Sequence, residues 1–251
     1  MEFLTVRGIV LSEVSYNEAD KIVTVYTDKL GIIKVSAKGA KSLKRTDLAG
    51  LNTFCLGEYI LTEGKNMYTV RECGIITDFF DIRKDIKALA LGCYILECIG
   101  MCGCENQPDE ELFRLSLNTL YATAKAKNSY TLIKSAFEMK LCQIMGGAPE
   151  IYECPACGNE LTKENGIAFD FSENCFICSE CKTFSEDAVT VSYPVFLSVK
   201  HILMSDTKGF ISFRISNENE SELFALCEKY LLSNLEKTPN TLKYLKESFE
   251  L

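Results

Sequence analysis

Ile22-Val23-Thr24-Val25-Tyr26-Thr27, then Asp28-Lys29-Leu30-Gly31, then Ile32-Ile33-Lys34-Val35-Ser36, is the stretch that decides how the amino-terminal third is read. The first run alternates as a half-buried strand does, the middle is a turn, and the last returns as a second strand. Upstream, Val6, Ile9 and Val10 precede a polar turn at Ser15-Tyr16-Asn17-Glu18-Ala19-Asp20. Downstream, Gly57–Thr62 and Met67–Glu72 bracket the turn Glu63-Gly64-Lys65-Asn66. Five strands within residues 3–78 suit a small Greek-key barrel.

After Asp81 the apolar period becomes helical. Residues 84–102, 110–127 and 132–145 each describe a helix, with Asp109 and Thr131 as candidate N-caps. Residues 150–190 form an acidic, cysteine-bearing insert of turns and short strands. From Pro194 the helical period resumes over 195–205 and 218–235, with Asn217 as a candidate cap. The predicted architecture is α+β and multidomain. It has a barrel (1–80), the first part of a helical domain (81–149), an insert (150–190) and the rest of the helical domain (191–251). All five prolines fall at the boundaries of these elements, which supports the segmentation.

Composition is that of a globular protein, 47% hydrophobic and 25% charged. The longest apolar run, Leu89 to Met101, is interrupted by Glu97 and falls short of the roughly 20 residues a membrane span needs, so it reads as a buried helix. Met1–Arg7 lacks the basic region and long apolar core of a secretory signal, and a cytoplasmic protein is expected. The formal charge of −8 is unevenly spread. Residues 1–80 hold ten Lys/Arg and ten Asp/Glu, so the deficit lies in 81–251.

Thirteen cysteines without a secretion signal point to metal ligands and free thiols. Cys93, Cys98, Cys102, Cys142 and Cys227 sit among apolar helical neighbours and read as small core hydrophobes. Cys154-Pro155-Ala156-Cys157-Gly158 and Cys178-Ser179-Glu180-Cys181 are different. They are two Cys-x-x-Cys knuckles twenty residues apart, the spacing of a four-cysteine zinc ribbon. Cys175 forms an overlapping pair with Cys178; Cys178 and Cys181 are preferred as ligands because the second knuckle normally follows a short strand. A catalytic zinc keeps one position open, whereas four thiolates fill the tetrahedron, so the predicted ion is structural. His201, the sole histidine, lies on a helix after the ribbon and is not needed as a ligand.

Barrels of the OB type bind single strands through a basic groove with aromatic platforms. Lys34, Lys38, Lys41, Lys44 and Arg45 form a run with no acid between Asp28 and Asp47. Such a loop can steer a phosphate backbone although the remainder is acidic, because screening confines fields to ~10 Å. Tyr26, Tyr59 and Tyr68 are the candidate stacking residues.

These segments resemble the RecO family of bacterial recombination mediators. Gly8-Ile9-Val10-Leu11, Tyr16–Val23, Gly31–Ala40 and the ribbon with Phe169-Asp170-Phe171-Ser172 carry the likeness, from about residue 3 to 240. Where the family usually has small residues before its last Cys-x-x-Cys, this chain has Asn174-Cys175. The resemblance implies no enzymatic turnover and no catalytic residues. It implies binding of single- and double-stranded DNA and annealing of strands coated with single-stranded-DNA-binding protein. It also implies cooperation with RecR to load RecA, a docking place for the acidic tail of the single-strand binder on the helical domain, and a nucleoid-associated location. Two other readings stay open at this level: a zinc-ribbon adaptor whose DNA contact is incidental, and a zinc hydrolase or deaminase, which would need an open metal position.

Overall fold

The computed structural model describes residues 3–18, 20–39, 50–182 and 186–250. They belong to two compact units, Met1–Ala126 with Pro239–Leu251, and Lys127–Thr238.

The first unit is built on five strands: β1 (Phe3–Tyr16), β2 (Asp20–Thr27), β3 (Gly31–Ala37), β4 (Cys55–Thr62) and β5 (Tyr68–Asp78). They close in the order β1-β2-β3-β5-β4, the connectivity of an OB barrel. All pairs are antiparallel except β3 with β5, which meet in parallel only at Val35–Tyr68 and Ser36–Thr69. The alternation noted in the sequence places Val23, Val25, Ile33, Val35 and Ala37 inside, where they meet Val6, Val10, Tyr59, Leu61 and Val70. β1 and β5 run longer than the apolar pattern suggests. The far part of β5 carries exposed Ile75 and Ile76, so no inward face marks it.

A 3-10 turn at Phe80–Lys84 leads into α1 (Ile86–Cys102) and α2 (Glu110–Lys125), and α7 (Thr241–Phe249) ends the chain. α1 is the buried apolar helix read from Leu89–Met101. Its Leu91, Tyr94, Ile95, Cys98 and Ile99 are fully buried. Asp85 and Asp109 cap α1 and α2 by accepting from Ala88 and Leu112 backbone N–H groups at 2.8 and 2.9 Å. The α1–α2 connector is fastened to the β2–β3 turn, where Ile32 N–H donates to Cys104 and Asn106 N–H to Leu30. Gly31 has φ +61°, and a Cβ there would lie 2.2 Å from the Cys104 carbonyl oxygen, so only glycine permits this approach.

α7 was not apparent in the sequence, and it depends on a distant residue. The Glu97 carboxylate on α1 accepts from the backbone N–H and side chains of both Asn240 and Thr241, at 2.6–2.9 Å. Partial burial alone would raise the Glu97 carboxyl pKa, but these donors outweigh it and hold the group below the usual glutamate value. The folded pKa is depressed, so this stabilisation is complete above the unfolded pKa and disappears as pH falls through the folded one. Glu97→Gln is therefore expected to abolish that pH dependence and to cost about 1 kcal/mol of local stability, since the site is partly solvated. Amide exchange over 241–249, referenced to α2, measures it; unchanged protection in the variant would refute the clamp.

The second unit holds α3 (Tyr130–Ile144), α5 (Tyr193–Met204), α6 (Asn217–Asn234) and, between α3 and α5, a small sheet. The caps differ from those expected. Ser129, not Thr131, accepts from Leu132 N–H, and Ser216, not Asn217, caps α6; Thr131 and Asn217 already lie within helical turns. Buried Lys140 reaches the end of α5 and donates to the carbonyls of Ile202, Leu203 and Ser205, satisfying a helix C-terminus with a cation. Cys98, Cys142 and Cys227 are buried as predicted, while Cys93 and Cys102 are partly exposed. No helix among the described residues is long and apolar enough to cross a membrane.

Candidate metal centre and nucleic-acid interface

The ribbon sheet comprises β6 (Ile167–Asp170), β7 (Cys175–Cys178) and β8 (Ala188–Val191), in the order β7-β6-β8. The first knuckle turns tightly. Gly158 N–H donates to the Cys154 carbonyl at 2.7 Å, and Gly158 sits at φ +75°, the left-handed conformation that glycine alone adopts freely. The second knuckle follows β7 directly, Cys178 ending the strand and one helical turn, α4 (Ser179–Lys182), carrying Cys181.

These two turns bring the sulfurs of Cys154, Cys157, Cys178 and Cys181 within 4.8 Å of one another. Four thiolates at ~2.3 Å from a tetrahedral ion would lie ~3.8 Å apart, and Cys157 and Cys178 are already 3.7 Å apart. The donor set fits a thiolate-bound metal ion. Burial raises the Cys154 thiol pKa, but the backbone N–H groups of Cys178, Ala156 and Cys157 outweigh it and hold the thiol at about 7. Cys181 moves the opposite way, pushed up by the neighbouring Cys157 and Cys178 sulfurs. One thiolate therefore forms readily, and a cation is needed to draw all four sulfurs to the ionised state.

Cys175 is outside the cluster. Alternation along β7 puts Cys175 and Ile177 on one face and Phe176 and Cys178 on the other, so Cys175 cannot take the place of Cys178 without a three-residue shift of the strand. Burial, with Asp170 beside it, pushes the Cys175 thiol up to about 11, that of an inert core thiol. Asn174 also has a physical reason. It adopts φ +53° in the β6–β7 turn, a conformation asparagine tolerates better than most residues. His201 is bonded to Gly209 and Ser205, away from the cluster.

The ribbon packs tightly against its own helices. Phe169 lies edge-on to Phe176 and Tyr230, and Phe176 edge-on to Phe196 of α5, with centroids 4.8–5.2 Å apart.

On the barrel, Lys34 is exposed midway along β3 and Lys38 just past its end, and Asp20 holds the next residue by accepting from Gly39 N–H at 2.8 Å. Lys41, Lys44 and Arg45 lie outside the described residues. The tyrosines divide. Tyr26 is fully buried, packs against Phe113 and donates its hydroxyl to the Asp109 carbonyl, so its ring is no base platform. Alternation placed it opposite Val25, and α2 covers that face. Tyr59 is equally buried, its hydroxyl bonded to Gly50. Tyr68 is half-buried and lines a surface cleft with Lys34. The β4–β5 turn brings Lys65 to the same cleft. A lone lysine in a polar turn gives no hint of that partnership in the sequence, since only barrel closure creates it.

Comparison with known proteins agrees with both halves of this geometry. Residues 1–79 match the family model described as recombination protein O N terminal, and residues 83–243 match recombination protein O C terminal. A DNA repair protein RecO from Acetivibrio thermocellus is 34% identical over 246 residues, covering 98% of this chain and 97% of that protein. Those from Clostridium novyi and Caldicellulosiruptor saccharolyticus are 27% and 28% identical, covering 96% and 98% of this chain and 94% and 99% of theirs. An OB barrel, a helical region and a four-cysteine cluster, matched along nearly the whole length, make this chain a member of the RecO family, whose work is DNA repair and recombination.

Proposed function

We propose that the protein is a non-enzymatic recombination mediator that binds single- and double-stranded DNA, anneals complementary strands coated with single-stranded-DNA-binding protein, and helps RecR load RecA. Family membership along both parts of the chain is the observation that carries this reading. The acidic tail of the single-strand binder would be its second protein contact, and its place of work the cytoplasmic nucleoid. The four cysteines would hold one structural Zn2+, as a closed sulfur set does.

Mechanistically, Lys38, Lys41, Lys44 and Arg45 would neutralise phosphates while the barrel keeps bases unstacked. That lowers the repulsion between two complementary strands and needs no nucleotide hydrolysis. Reversing all four charges to glutamate should slow annealing of coated strands by tenfold or more, on the order expected when several phosphate contacts are lost. Equal rates for both proteins would remove the basic run from the mechanism. If neither anneals although both are folded, the adaptor reading takes over. Its support is the ribbon segment 153–187, with eight acids against two lysines.

A further inference from the structure

β3 and β5 touch only at Val35–Tyr68 and Ser36–Thr69. Beside that junction, Ile32–Lys34 of β3 and the β4–β5 turn line a cleft of about 410 Å³, within the range of small-ligand sites. Lys34 comes from the strand, Lys65 and Asn66 from the turn, Tyr68 from the junction, and Asn106 from the α1–α2 connector. Glu63 and Glu105 also line it, so two cations face two carboxylates.

We propose that this cleft receives one unstacked nucleotide, so that the barrel contacts a base as well as the backbone; this rests on the reading that the barrel binds single-stranded DNA. The charge balance argues for a base inside and phosphates outside. A phosphate in the cleft would meet Glu63 and Glu105, whereas a base presents amino groups that carboxylates accept from. Tyr68 packs against the barrel core, so its ring is already held and stacking costs little conformational entropy. Asn66 and Asn106 each offer an amide donor and acceptor for a base edge. Asn106 is set in place by its backbone bond to Leu30 at 2.9 Å. Lys65, exposed in its turn, is left to meet a flanking phosphate.

The test uses the full-length protein and a short single strand carrying iodouracil, photocrosslinked and mapped by mass spectrometry, with affinity followed by fluorescence anisotropy across salt. An adduct at Tyr68 is expected. Lys65→Glu, an exposed change that leaves the core untouched, should cut that adduct several-fold and lower the salt slope by about 0.7, the value of one single-strand phosphate contact. Tight binding with adducts only at other residues would overturn the cleft while leaving the single-strand reading intact. Failure to retain the oligonucleotide even at low salt would overturn both.

Discussion

Replacing Lys134 by methionine is expected to destabilise the second unit by about 3–5 kcal/mol, because it strips the counter-ion from two buried carboxylates. Lys134 and Glu138 are fully buried on α3, and Lys134 Nζ lies 2.7 Å from Glu138 and 2.9 Å from Glu228 of α6. Phe224 places its ring face 4.0 Å from the same ammonium. Burial works against the charge, yet the two carboxylates outweigh it and raise the lysine pKa above its usual value. Urea unfolding followed by helical circular dichroism measures the loss. Replacing Glu138 and Glu228 by leucine together with Lys134→Met should recover most of it, since an apolar trio of similar volume has no desolvation to offset. A loss below ~1 kcal/mol in the single variant would mean that the triad is not held as ions.

Chelating any ion held by the four-cysteine cluster, or Cys154→Ser, is expected to be the second large effect. Thiolate–zinc binding contributes roughly 10–16 kcal/mol to folding in isolated zinc-finger peptides. Here β6 and β7 also bury Phe169 and Phe176 against Tyr230 and Phe196, so part of the ribbon has other support. A loss on the order of 5 kcal/mol is expected, with a fall of ~10 °C or more in the midpoint of thermal unfolding. Because those rings belong to α5 and α6 as well as to the sheet, near-ultraviolet dichroism should change with chelation. An unchanged midpoint in the Cys154→Ser variant, or after chelation leaves no metal detectable by elemental analysis, would show that the aromatic packing alone holds the ribbon.

Much of this could be read along the chain. The alternation over Ile22–Ser36 specifies two strands and a turn because side chains in a strand point to opposite faces with period two. The Cys-x-x-Cys spacing specifies a metal knuckle because two residues are what a chain needs to wrap one ion. Both signals are local, and both survive in the structure, where the strands form the barrel and the four sulfurs converge.

What the chain could not disclose was which partners distant residues meet. Tyr26 looked like a base platform until α2 covered its face with Phe113. Lys65 was one lysine in a polar turn until barrel closure set it beside Lys34 and Tyr68. Glu97 was an interruption in an apolar helix until α7 delivered four donors to it. Sequence by itself determined the barrel strands, the longer helices and the four cysteines that converge, because backbone period and knuckle spacing act over a few residues. Tertiary structure alone decided which aromatic rings remain accessible and which charges are buried, because burial depends on elements that meet from far apart in the chain.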